Sequence, residues 1–447
     1  MTRTAAVLAD LERFESRNIT YLDPAGGWPI VWERAQGHHV WDVEGRKYLD
    51  LTAAFGVAAT GHANPRVVRA GQRQMATLLH AMGDVHPHPL KAQLARRLSE
   101  ITFGRWSPGS HGKVIFGNSG FEAVEAALKT ARLASGKPGV IVFDGAYHGL
   151  GYGTLNATHR DHFRGPFRDQ LREFGRFVPF PHIAEGRFPG QTSKDNLDRA
   201  ESAVRRAFRV GDVGAILVEP IQARGGIRIP DPGFLRRLRT LADQQNALLI
   251  LDEIYTGFGR TGKWFACEHS TVVPDLICLG KALTGGFPLS ACVGRAKVMD
   301  AAWPISEGEA IHTSTFLGHP VGCAMALAQI EELTRRNLPA RAGILGGKFL
   351  RALAELPAEI GSLHLRSRGV GMMAGLELRH ADGRPGTQAS MAAVKALLVR
   401  GFLVLPEGEH ADVIGFTPPL TISSTELRRA VQALGEVLEE VGHGRVA

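Results

Sequence analysis

Two residues in this chain combine a type and a position that organic chemistry can use: Asp252 and Lys281, 29 positions apart (281 − 252). Asp252 follows the apolar run 247–251 and is itself followed by Glu253. An acidic pair that closes so apolar a strand is unfavourable without a partner. One reading is a helix-capping aspartate. The other is a carboxylate aimed at a cationic ring nitrogen. Lys281 follows a second apolar run, Leu276–Leu279, and Gly280, and it precedes the flexible Gly285-Gly286. A lysine at a strand end is ordinarily a snorkelling surface residue. It is also the residue whose amine forms Schiff bases when burial and neighbouring positive charge lower its pKa. Each signal is weak alone, and the two in this order and spacing are much stronger together.

Such residues need a scaffold. Residues 1–35 read as an N-terminal arm, a short polar helix and then the Pro24-Ala25-Gly26-Gly27 turn. Residues 39–51 read as a hairpin around Glu44-Gly45. From about Val114, the short apolar runs 114–116, 140–143, 215–218, 247–252, Leu276–Leu279 and 289–293 alternate with amphipathic helices. That alternation predicts a parallel sheet buried on both faces, with ligands at the carboxyl ends of its strands. In the helix after Asn118, the spacing puts Phe121, Val124, Leu128 and Ala131 on one face and an i,i+4 pair, Glu125 and Lys129, on the other. From about residue 335 the periodicity is that of a smaller α/β unit, closing with a helix over 424–441. No repeat or low-complexity tract is visible. The division expected is 1–75, arm and part of a small domain; 76–334, a large domain; and 335–447, the rest of the small domain.

At 447 residues, 44% apolar and 21% charged, the chain can bury a sizeable core. Its formal charge is +8, from 52 Lys and Arg against 44 Asp and Glu. The basic residues are spread out, and Arg236-Arg237-Leu238-Arg239 falls on a helical pattern, so a nucleic-acid partner is not expected. Cys267, Cys278, Cys292 and Cys323 show no C-x-x-C spacing, and His86 and His88 read as structural, so neither a metal nor a disulfide framework is expected. The N-terminal residues lack an apolar signal core, and no run approaches the roughly 20 apolar residues of a membrane span. A soluble, cytoplasmic protein without a membrane partner is the expectation.

The run LLILDEIYTGFGRTGKWFACEH…PDLICLGKALTGGFPLSACVG resembles the class III (ω-type) pyridoxal-phosphate (PLP) aminotransferases of fold type I. GHANP at 61–65, GNSGFEAVEAALKTAR at 117–132, FDGAYHG at 143–149, VEPIQ at 218–222 and TSTFLGHP at 313–320 extend the likeness over nearly the whole chain. The resemblance implies an α/β fold, a large domain with a mostly parallel seven-stranded sheet flanked by helices, plus a smaller α/β domain from both chain ends. It implies pyridoxal 5'-phosphate held by Lys281 as a Schiff base, with that lysine then relaying the substrate proton, and Asp252 paired with the pyridinium nitrogen. Gly120 and Phe121 would offer backbone N–H groups to the phosphate at a helix start. Tyr147 would stack on the ring beside His148, Ile254 would pack on its other face, Tyr255 would lie near the phenolic oxygen, and Glu219 would support the ring region. Thr315 would reach the phosphate of a neighbouring subunit, which implies a homodimer with shared active sites.

Four departures from the family bear on substrate. Phe121 stands where Ser or Thr is usual, and Gly415 stands where many members that use 2-oxoglutarate carry an arginine. Leu150 follows Tyr147-His148-Gly149 in place of another arginine, and Arg224 replaces an acidic gate residue. Arg224 either recognises a substrate carboxylate or points away to an acidic surface group; a guanidinium suits the first task because it is bidentate and always charged. Phe55 is placed as an apolar wall of the substrate pocket, from the small domain or the partner subunit. The reaction expected is ping-pong transfer of an amino group from a small-molecule amine or amino-acid donor to an oxo-acid or aldehyde acceptor. The alternatives are an amino-acid epimerase or aminomutase on the same scaffold and a catalytically silent PLP-binding protein.

Overall fold

A computed structural model describes residues 1–24, 26–182 and 193–445; Ala25, in the turn expected at 24–27, lies outside them. Seven strands make the largest sheet: β1 (Gly112–Gly117), β2 (Gly139–Phe143), β3 (Gly175–Val178), β4 (Val213–Val218), β5 (Leu248–Asp252), β6 (Leu276–Leu279) and β7 (Ser290–Arg295). Their order is β1-β7-β6-β5-β4-β2-β3. Only β7 runs against its neighbours, β1 and β6; the other pairings are parallel.

The expected apolar runs fall in six of these strands. Leu249, Ile250 and Leu251 are wholly buried, as are Ile216, Leu217 and Val218 beside them. Side chains at successive positions point to opposite faces, so a strand buried at every position must be covered on both sides. Helices supply that cover: α1 (Gly120–Ser135) packs on one face and α2 (Phe234–Gln244) on the other, burying Val124 and Leu128 against one core and Leu238 and Leu241 against the second. Each such aliphatic side chain contributes roughly 1.5–3 kcal/mol when fully buried. β3, Gly175–Val178, has no clear signal in the sequence, because only part of its short run is buried.

The expected hairpin forms, with His39–Asp42 antiparallel to Lys47–Asp50 and Gly45 at φ 84° in the turn. Its second strand pairs in parallel with Phe402–Leu403, so the two ends of the chain share a sheet. A five-stranded sheet in the C-terminal third includes Met373–His380, Leu405–Glu407 and Val413–Phe416, and the chain closes on the helix Ser424–Gly442. All four cysteines are buried and free. Among the described residues no helix is long and apolar enough to cross a membrane.

One helix differs from expectation. Val124 and Leu128 are buried as the spacing predicts, but Phe121 is 40% exposed. Phe121 sits in the first turn, just past the carboxyl end of β1, against Gly149 and Gly151, where an added Cβ would come within 2.3 and 2.8 Å of it. Nor does Glu125 pair with Lys129. Glu125 accepts the Thr154 backbone N–H at 2.9 Å, and Lys129 reaches His312. A buried backbone donor competes better for a carboxylate than an exposed amine does.

Candidate active site

The polar ends of β4, β5 and β6 meet. Asp252 is paired in register with Cys278, so the chain reaches Lys281 three residues beyond that level on the adjacent strand. Gly280 is extended and Lys281 takes φ 43°, a left-handed conformation unusual for a residue with a side chain. The amine lies 3.9 Å from the centroid of the Tyr255 ring. Burial pushes its pKa down to about 8, opposed by the nearby carboxylates of Asp252, Glu219 and Glu407.

Asp252 is held from two sides. Its Oδ1 accepts the Ile254 N–H at 3.1 Å, and its Oδ2 lies 2.8 Å from His148 Nδ1. A carboxylate only accepts, so the imidazole carries its proton on Nδ1 and donates it. His148 Nε2 is buried without a partner among the described residues, and the ring is further set by its own backbone N–H, which donates to Thr158 Oγ1 at 3.0 Å. Glu219, just past β4, accepts backbone N–H groups from Tyr147 at 3.0 Å and Ala223 at 3.2 Å, and burial pushes its carboxyl up to about 7. It thereby fixes Tyr147, whose ring makes an edge contact with Phe163 at 5.6 Å.

Ile254 wedges between two glycines: a Cβ on Gly120 would come 3.1 Å from its Cδ1, and one on Gly280 3.4 Å from its Cγ2. The start of α1 is thus drawn against the strand ends. There Glu122 accepts the backbone N–H groups of Asn118 and Ser119 at 2.6 and 2.7 Å.

Arg224 does pair with an acid, though not a surface one. Its Nη1 lies 3.1 Å from Glu407 Oε2, and Glu407 is only 3% exposed. Glu407 folds over Gly415 on the neighbouring strand, where a Cβ would fall 2.7 Å from its Cγ. The carboxylate therefore occupies space beside a position without a side chain. Burial pushes Glu407 up to about 7, against the pull of Arg224, Arg160 and Lys281. Arg160 donates to the Arg224 carbonyl, and both guanidiniums act on the Tyr147 hydroxyl. Glu407 and Arg160 carried no sequence signal: Pro406-Glu407-Gly408 reads as a turn, and Arg160 as one loop arginine among many.

Phe55 is half exposed, in a left-handed stretch formed by Ala53, Ala54 and itself (φ 48°, 49° and 61°). Leu150 is exposed. Thr315 is also exposed, in the loop before the helix Pro320–Arg335, and no hydrogen bond among the described residues joins it to the groups around Lys281.

The pattern of the class III aminotransferases, described as "Aminotransferase class-III", matches residues 22–438. The chain belongs to the class III aminotransferases. It is 36% identical over 418 residues to a putrescine aminotransferase of Pectobacterium atrosepticum, covering 92% of this chain and 83% of that protein. It is also 36% identical over 422 residues to an acetylornithine aminotransferase of Methanopyrus kandleri, covering 94% and 97%. A Toxoplasma gondii ornithine aminotransferase structure, described with partial occupancy of PLP at its active site, superposes with a TM-score of 0.84 at 29% identity, covering 99% of this chain and 95% of that one. This class III enzyme is accordingly a PLP-dependent aminotransferase, with the fold of the PLP-dependent transaminases. All three relatives are aminotransferases, which favours amino transfer over the epimerase or aminomutase alternative.

The residues present fit that cofactor. A shielded amine of lowered pKa and a buried carboxylate held by an imidazole stand at neighbouring strand ends, beside a glycine-lined helix start.

Proposed function

We propose that Lys281 is the covalent anchor for PLP and the proton carrier of the reaction, and that Asp252 is the partner of the ring nitrogen. The observation that carries this is the convergence of the Lys281 amine, the His148-held Asp252 carboxylate and Glu219 at the ends of three adjacent parallel strands. Bound PLP supplies an electron sink for the carbon that carries the amino group. Once an incoming amine has displaced it from the cofactor, Lys281 Nζ would take up the proton from that carbon, hold it as an ammonium and give it back on the cofactor side, a task suited to an amine whose pKa lies near neutrality. Asp252 keeps the ring nitrogen protonated, and His148 fixes the carboxylate's direction. Gly120 and Phe121 present backbone N–H groups to the phosphate; Phe121 has no hydroxyl to add. Tyr147 and Ile254 would hold the cofactor ring from its two faces, and Tyr255 lies beneath the amine.

The lowered pKa gives a pH test. Only the free amine attacks the aldehyde, so PLP capture by the PLP-free enzyme should rise about tenfold per pH unit below 8 and level off near 8. Stopped-flow absorbance from pH 6 to 10 measures this. A rate that still climbs at pH 10, as for an ordinary lysine, contradicts the assignment.

Arg224 serves as the carboxylate-binding residue for the substrate. Among the described residues its guanidinium meets Glu407 through Nη1 alone, so the rest of the fork is left for a ligand. Arg224→Ala should raise KM for oxo-acid acceptors by about tenfold or more, the worth of a charge-assisted hydrogen bond. The kcat should change little, and KM for amines without a carboxylate should hold. Unchanged Michaelis constants for every carboxylate substrate would end the idea. Phe55 provides an apolar wall in the same reading.

A homodimer with shared sites is also proposed. Leu78, Leu79, Met82, Val85, Ile311 and Phe316 are all exposed, and Thr313 donates to Asp84, joining the two segments that carry them. So apolar a band on an isolated chain marks an association surface. Thr315 lies in that band, where it would serve the neighbouring subunit's phosphate. A cytoplasmic location, as expected from the sequence, belongs to this same reading.

A further inference from the structure

We propose that Tyr255 and Thr417 are positioning residues for the Lys281 amine: Thr417 holds the phenol so that the ring face, and not the hydroxyl, serves the amine. The inference rests on Lys281 being the cofactor lysine, as proposed above.

Hydrogen-bond direction decides it. Thr417 Oγ1 lies 2.9 Å from the main-chain carbonyl of Thr52, which can only accept, so the threonine proton is committed there. Tyr255 Oη lies 3.2 Å from the same Oγ1 and must therefore be the donor. Thr417 is itself tied down, because its N–H donates to the Leu51 carbonyl at 2.8 Å. The phenolic proton is thus unavailable to Lys281 or to the cofactor's phenolic oxygen, and the π face is what Tyr255 offers the amine 3.9 Å away. Nor can the ring turn freely. Gly56 (φ 78°) packs so close that a Cβ there would sit 2.8 Å from Tyr255 Cε1. Both ends of the chain, through Leu51–Gly56 and Thr417, therefore meet under the central lysine.

The charged groups acting on the amine are Asp252, Glu219 and Glu407, which favour its protonation, and Arg224, which opposes it. None of these carboxylates forms an ion pair with Nζ among the described residues. The Tyr255 face lies against the amine, 3.9 Å from ring centroid to Nζ. A cation over such a face is stabilised relative to its neutral form, more so when shielded from water. The platform raises the proton affinity of the lysine nitrogen against the effect of burial, and it aims that nitrogen at one point.

The test is a pH titration of the visible absorbance of the lysine-bound cofactor in the purified holoenzyme, with no substrate present. Thr417→Val removes the acceptor and should lower the midpoint by ~0.5–1 pH unit; Thr417→Ser should restore it. Tyr255→Leu should lower it by at least as much, and Tyr255→Phe, which keeps the ring, by less. Melting temperatures on the same samples report packing separately. Borohydride reduction and peptide mapping separate the two layers of the argument. Cofactor found on another lysine overturns the assignment of Lys281. Cofactor on Lys281, with the wild-type midpoint in both Thr417→Val and Tyr255→Leu, overturns the platform alone, whatever the melting temperatures do.

Discussion

Replacing Lys281 with alanine is expected to lower kcat by more than about 10³-fold, within the range that a positioned acid–base group supplies. The visible absorbance of the lysine-bound cofactor should vanish in the same variant. Lys281→Arg should be equally inactive, because a guanidinium stays charged and cannot form the imine or accept a proton near neutral pH. Neither change should unfold the protein. Lys281 makes no ion pair among the described residues, and its amine lies over the Tyr255 face. Circular dichroism and single-turnover kinetics on purified protein check both halves. An alanine variant that keeps a tenth of wild-type turnover would place the proton carrier elsewhere.

The second large effect belongs to Asp252. Asp252→Asn preserves shape, and its amide can still meet His148, but it carries no charge to hold a proton on the ring nitrogen. Removing one such preorganised electrostatic group costs roughly 10²–10³ in kcat. The loss should appear in half-reactions with both donor and acceptor, since both pass charge into the same ring. This separates Asp252 from Arg224, whose loss should appear in KM for carboxylate substrates only. His148→Ala should produce a smaller loss in the same direction, because the imidazole acts through Asp252. If Asp252→Asn retains full turnover, the ring nitrogen has another partner.

Much of this was legible in the residues. The apolar runs of β4, β5 and β6 are local, and strands buried on both faces leave a continuous hydrophobic record. Asp252 and Lys281 stand out because each breaks such a record at its carboxyl end. The half-buried strand β3 leaves little trace, since its pattern is short and mixed. Periodicity alone puts Phe121 on the buried face, because spacing gives the face of a helix and not where the strands beside it end.

By itself the sequence determined the strand–helix alternation, the chemistry-bearing residues at strand ends and the loss of arginines at Leu150 and Gly415. These are properties of residues near one another in the chain. Only the tertiary structure decided that Arg224 faces a buried Glu407, 183 positions away, and that Thr417 orients Tyr255 across 162 positions. Such pairs leave no period, because what selects them is the high cost of an unsatisfied polar group in a shielded pocket. Their partners are chosen by how strands and loops stack in space, and a single sequence does not display that.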